Sequence, residues 1–142
     1  AAVLNFEYTG YGVHRHSRKS TTENRVYRDA NNAYRFATTT LGFPPERIIL
    51  FGNALGAGLV THLAEKAHET GHGVAGVILV NPFLSVRHVV KSLAGFAAGQ
   101  LFVHNRFEND RAVKHFDCPL LILHSSRNSV VPLKHGQKLH EK

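Results

Sequence analysis

The residues best placed to do chemistry surround position 54. Gly52-Asn53-Ala54-Leu55-Gly56 follows the apolar run Ile48-Ile49-Leu50-Phe51 and leads into a helix-like segment. A strand, a tight glycine-flanked turn and a helix form the frame of a nucleophile elbow, G-x-S-x-G. There a serine Oγ is thrust out to attack an ester or amide carbonyl. Here the central residue is Ala54, whose methyl group carries no oxygen. The spacing belongs to acyl transfer, and the side chain withholds the nucleophile.

Other side chains invite the same question. Ser125 and Ser126 stand beside His124, but no Asp or Glu occurs from Pro119 to His140, so neither hydroxyl has an acid-backed base, and turn capping is the plainer role. Cys118 precedes Pro119 at the amino end of an apolar strand and reads as a buried structural thiol. His14 and His16 alternate in a loop, while His68 and His72 are separated across a turn. Neither pair has a carboxylate or thiolate at metal-ligand spacing, so no metal and no cofactor are expected. His14-Arg15-His16-Ser17-Arg18-Lys19 is the densest basic stretch, and Arg15, Arg18 and Lys19 are the candidate contacts for an anion or a partner. An ordinary solvated loop explains the same residues.

The elements that must position these groups follow from periodicity. Ala1 to Phe6 reads as a strand that leaves the sheet at Gly10 and Gly12. Ser20-Thr21-Thr22-Glu23 has capping-box spacing. Val26, Tyr27, Ala30, Ala33, Tyr34, Ala37 and Leu41 then recur at helical spacing until Gly42 and Pro44-Pro45. Residues 47–51 predict a strand whose consecutive apolar positions suit cover on both faces. A helix over residues 57–69, a strand over 74–80, a strand over 120–124 and a helix over 133–141 opened by Pro132 complete the pattern. The alternation predicts an α/β fold, a parallel sheet with helices on both faces, as a single domain over 1–142 with a lid-like insert at about 82–116. Val86, Val89, Val90, Leu93, Phe96, Leu101 and Phe102 supply the insert's apolar face. In such sheets ligands bind beyond the carboxyl ends of the strands. Tyr8, Tyr11, Asn53, Leu55, Asn81, Phe83, His124 and Ser125 are therefore the expected lining of a residual pocket.

Composition narrows the class. Across 142 residues, 43% hydrophobic and 19% charged content suits one globular domain. The weakly polar run from Ser92 to Val103 is too short to span a bilayer. A single cysteine excludes a disulfide framework and fits a reducing compartment, cytoplasm or mitochondrion. A net charge of +7 favours acidic partners, RNA among them, although the basic residues are scattered.

These segments together resemble an α/β-hydrolase, particularly the depalmitoylase-like and serine-aminopeptidase-like branch. The likeness rests on Phe6-Glu7-Tyr8-Thr9-Gly10-Tyr11-Gly12, on the strand entering the elbow, and on Val77-Ile78-Leu79-Val80-Asn81-Pro82-Phe83. Arg106-Phe107-Glu108-Asn109, Cys118-Pro119-Leu120-Leu121-Ile122-Leu123-His124, Val130-Val131-Pro132 and His135-Gly136 extend it nearly end to end. The resemblance implies that the acid position is Asn128, where an amide replaces the carboxylate. In one well-studied triad that exchange costs about 10⁴-fold in turnover. It also implies that the family's histidine and oxyanion loop, together with N-terminal strands and a final strand, lie outside this chain.

Two degenerate triad positions predict a catalytically inactive hydrolase fold, used as a structural or interaction module in a larger assembly, with a ribonucleoprotein suggested by charge. The alternative is a depalmitoylase-like esterase or thioesterase in an inactivated or divergent form that still binds a small-molecule ligand.

Overall fold

A computed structural model describes residues 2–15, 21–95 and 104–142. The expectations placed on His16, Arg18, Lys19, Ser20, Phe96, Leu101 and Phe102 lie outside those residues. The chain divides into two compact units, Ala1–Pro44 and Pro45–Lys142.

In the first unit the expected opening strand is absent: residues 2–7 have no strand pairing, and Val3 is 91% exposed. Val, Leu and Phe favour extended backbone, but a strand is stable only beside a partner that takes its hydrogen bonds. A turn follows instead, closed by the Tyr11 amide donating to Tyr8 O (3.1 Å) and by Val13 N–H donating to the Glu7 carboxylate (2.8 Å). Helix α1 spans Glu23–Arg35. Its N-cap is Thr22, whose side chain makes no capping bond. The Glu23 carboxylate accepts from Tyr27 Oη (3.1 Å), and Ser20, the other end of the expected capping box, lies outside the described residues. Thr21 Oγ1 donates to Thr9 O (3.1 Å), and Thr9 N–H donates to Asp29 on α1 (2.8 Å), so the turn is fastened to the helix. A π-helical turn, Phe36–Thr40, runs on from α1, and Gly42 at φ 71° ends it.

The second unit is built on a parallel three-stranded sheet ordered β1-β2-β3. Strand β1 is Ile49–Asn53, β2 is Gly76–Val80 and β3 is Leu120–Leu123. Helix α2, Leu55–Glu69, is the crossover between β1 and β2. It buries Ala57, Leu59, Val60, Leu63, Ala64 and Ala67, which recur at helical spacing. Gly52 faces α2 from within β1. A Cβ there would lie 2.7 Å from Val60 Cγ2 and closer still to the Gly56 carbonyl, so only glycine lets helix and strand approach this closely.

Leu50, Val77 and Leu79, at 8%, 1% and 0% exposure, form the covered face of the sheet. The other face differs from the expectation of cover on both sides. Ile49 and Phe51 are 60% and 63% exposed, and Leu121 and Leu123 are 50% and 49% exposed. Register puts Phe51, Ile78 and Leu121 in one row, with Val80 and Leu123 in the next. The apolar run was therefore a sound sign of a strand, while cover depends on which elements pack against it.

The insert after β2 forms α3, Val86–Ala94, and a short α4, Asn109–Ala112. Ser85 caps α3, its Oγ accepting from His88 N (3.4 Å). Asn109 and Thr61, each 1% exposed, join α4 to α2: Thr61 Oγ1 donates to Asn109 Oδ1 (2.6 Å), and Asn109 Nδ2 donates to Phe83 O (2.8 Å). Helix α5 is Lys134–His140, with His135, Gly136 and Leu139 inward. Among the described residues no helix is long and apolar enough to cross a membrane.

Candidate active site at the carboxyl ends of the strands

Ala54 sits between β1 and α2 with φ 48° and ψ −109°, a backbone conformation that an L-residue adopts only under constraint. The constraint is visible. Ala54 N–H donates to Val80 O at the end of β2 (2.9 Å), and Ala54 O accepts from Ala57 N–H (3.0 Å) as the helix begins. The elbow is therefore fully formed, with a methyl group at its apex. Asn53 is exposed beside it, and Leu55 is half-buried.

The same system of bonds runs across the neighbouring strand ends. Asn81, itself at φ 47°, donates its amide to Leu123 O (2.8 Å) and accepts Ser125 N–H on its side-chain Oδ1 (2.9 Å). Elbow, β2 end and β3 end are thus bound to one another through main chain and one asparagine.

Asn128 closes the loop after β3. Its Oδ1 accepts both Val130 N–H (3.0 Å) and Val131 N–H (2.9 Å), an Asx turn. Its remaining Nδ2 group can only donate. An imidazole meeting that group would have to present an unprotonated nitrogen, the reverse of what an acid-backed general base requires.

The other predicted lining residues divide by environment. Phe83 is 6% exposed and packs edge-on against Phe107 (6.5 Å, 88°), so it belongs to the core instead of a pocket wall. His124 is half-buried; its Nε2 meets Val131 O at 2.8 Å, which makes Nε2 the protonated nitrogen, and its buried Nδ1 has no partner. Ser125 Oγ accepts Arg127 N–H (3.3 Å), and Ser126 is exposed. Tyr8 and Tyr11 belong to the first unit. Their rings pack edge-on at 4.9 Å, and burial, followed by the neighbouring Tyr11, raises the Tyr8 phenol above its ordinary pKa. Arg15 ends the short helical turn Gly12–His14 of that unit.

Cys118, expected as a buried structural thiol, is half-buried. It lines a cavity of about 220 Å³ with Ala64, His68, Val74, Phe116 and Pro119, at the amino ends of the strands and away from Ala54. Burial raises its thiol pKa, which disfavours the thiolate. Among the described residues no group of three or more His, Cys, Asp or Glu side chains could hold a metal ion.

Sequence reasoning passed over His135 as a polar centre. It is 2% exposed, its Nδ1 accepts Leu84 N–H (3.2 Å), and its Nε2 meets Ser92 Oγ at 3.1 Å. Burial, then nearby cationic groups led by His88, pushes its pKa down to about 4. The spacing of His135 to Leu139, one helical turn, is the signal that would have put it on the buried face.

Comparison with known proteins fits this geometry. A family profile described as alpha/beta hydrolase fold matches residues 23–117. The lysophosphatidylserine lipase ABHD12 of Danio rerio is 31% identical over 98% of this chain and 38% of its own length. Protein ABHD12B of Homo sapiens is 30% identical over 98% of this chain and 41% of its own. The chain thus spans roughly two fifths of the length of these curated relatives. Among solved structures, an alpha-beta hydrolase from Vibrio vulnificus superposes with a TM-score of 0.73 at 22% identity, covering 85% of this chain and 45% of that one. A monoacylglycerol lipase from Paleococcus ferrophilus gives 0.60 at 20% identity over 96% of this chain and 66% of its own. With its parallel sheet, its elbow and a family match over most of its length, the chain belongs to the alpha/beta hydrolase family.

Proposed function

We propose that this chain supplies the elbow and acid-loop part of a lipid-ester hydrolase frame, in a divergent form that binds a ligand without turning it over. The observation that carries the reading is Ala54. Its constrained backbone at φ 48° is retained, although no nucleophile needs it. Helix α2 begins directly behind it, and the first turn of a helix offers backbone amides suited to a carbonyl or anionic oxygen. The relatives named as lysophosphatidylserine lipases suggest the ligand class, a single-chain phospholipid ester.

The test uses full-length protein. Saturable binding of a fluorescent lysophosphatidylserine, with no fluorophosphonate adduct and no ester turnover, is the expected result. Covalent labelling or sustained turnover would overturn it. Restoring the two positions separates the defects: Ala54→Ser alone should remain about 10⁴-fold below the Ala54→Ser, Asn128→Asp pair in turnover, the cost of an amide at the acid position. Equal rates in the single and double variants would refute the role given to Asn128.

A second reading, a structural or interaction module, draws on the exposed Ile49, Phe51, Leu121 and Leu123 face. It predicts co-purification of a protein partner at moderate salt and no lipid binding, so the same lipid titration separates the two.

A further inference from the structure

We propose that His135 is an acid-released latch that fastens helix α3 to helix α5. The ring contacts both ends of α3. Nδ1 accepts the Leu84 amide, two residues before the helix, at 3.2 Å. Nε2 lies 3.1 Å from Ser92 Oγ in the last turn. A backbone N–H can only donate, so Nδ1 must be bare, and the ring proton must sit on Nε2 and point at Ser92. That assignment also removes His135 as a general base for Ser92, because the nitrogen facing the hydroxyl already holds its proton.

The neutral ring is therefore a condition of the contact. A proton added at Nδ1 would set N–H against N–H and leave the Leu84 amide, in a residue only 8% exposed, without an acceptor. The surroundings oppose that proton strongly. His88 from α3, His124 from the end of β3, and Lys134 and Lys138 from α5 itself all act against a positive ring. Asp110 of α4 reaches this loop through its backbone amide, which donates to Leu84 O (3.2 Å). His88 is in turn held by Ser85, its Nδ1 lying 2.8 Å from an Oγ in a residue with no exposure. Gly136 leaves room for the His124 ring: a Cβ there would lie 2.7 Å from His124 Nδ1.

Because β2 leads through Asn81 directly into Leu84 and α3, release would free the segment next to the elbow while the sheet stayed intact. With the ring titrating near 4 when latched and near its ordinary value when released, protection of α3 should fall roughly twentyfold between pH 7 and pH 5.

Hydrogen exchange of the full chain, corrected for intrinsic rates, reads this directly. The expected result is loss of protection confined to residues 84–94, with β1, β2, β3 and α2 unchanged. His135→Asn, whose Oδ1 can accept from Leu84 without titrating, should keep α3 protected at pH 5. An α3 that stays protected to pH 4, a loss shared equally by the sheet, or a folded His135→Asn variant with the wild-type acid response would each overturn the latch. Should that variant not fold, ¹⁵N spectra of the wild-type imidazoles decide. A bare Nδ1 at neutral pH with a midpoint well below 6 supports the latch, and an Nδ1–H tautomer or a midpoint near 6.5 refutes it.

Discussion

Ala54 holds a backbone conformation that its own side chain does nothing to favour. At φ 48° and ψ −109° a Cβ crowds its own backbone, and such positions cost on the order of 1–3 kcal/mol. The bonds to Val80 O and from Ala57 N–H hold it there. Removing the Cβ removes the crowding, so Ala54→Gly should raise stability by about 1 kcal/mol in a urea melt. A loss of similar size would mean that the methyl makes packing contacts outweighing the strain. Asn128 illustrates the limits of reading a site from sequence. The sequence showed an amide there, and the acid position is what the family resemblance implies. Its use of Oδ1 for two successive amides was not legible, since that depends on how the loop after β3 turns.

At the scale of elements, Gly52 governs how closely α2 sits on the sheet. Gly52→Ala should destabilise by about 1–3 kcal/mol, because the added Cβ meets a backbone carbonyl and the Val60 side chain, and a carbonyl cannot rotate aside. Circular dichroism melts of the variant check this; an unchanged melting temperature would show that α2 can shift outward at no cost. The elements built from local pattern were the legible ones: α2, β2 and β3 fall within a few residues of their expected spans. The opening strand failed because extended residues need a partner that only tertiary structure supplies. The bond from Thr21 Oγ1 to Thr9 O was not legible either, since it depends on where the preceding turn brings that carbonyl.

For the whole molecule, acid sensitivity follows from the buried imidazole. His135 titrates at about 4 when folded and near 6.5 when unfolded. Above pH 6.5 both states are neutral there, and the contribution to stability is complete. Between about 6.5 and 4 the unfolded chain takes the proton first, so stability declines as pH falls. The span amounts to roughly 3 kcal/mol from this group. Urea unfolding at pH 7 and pH 4.5 measures it in wild type and His135→Asn, and the variant should show the smaller decline. An equal decline in both would assign the acid sensitivity elsewhere. The α/β class was readable from alternating pattern alone, and the three-stranded parallel sheet agrees with it. The openness of one sheet face was not readable, since Ile49 and Phe51 look the same in sequence whether or not anything covers them.

The way the elbow is anchored bears on its history. Among the described residues, the two bonds at Ala54 join main-chain atoms of residues 54, 57 and 80, and a methyl group at the apex can add none. A change of side chain there alters the strain of the turn and leaves the bonds that hold it in place. Alanine codons lie one nucleotide from four of the six serine codons, so a lineage can disarm or re-arm the turn without rebuilding it, and descendants with either residue should share one scaffold.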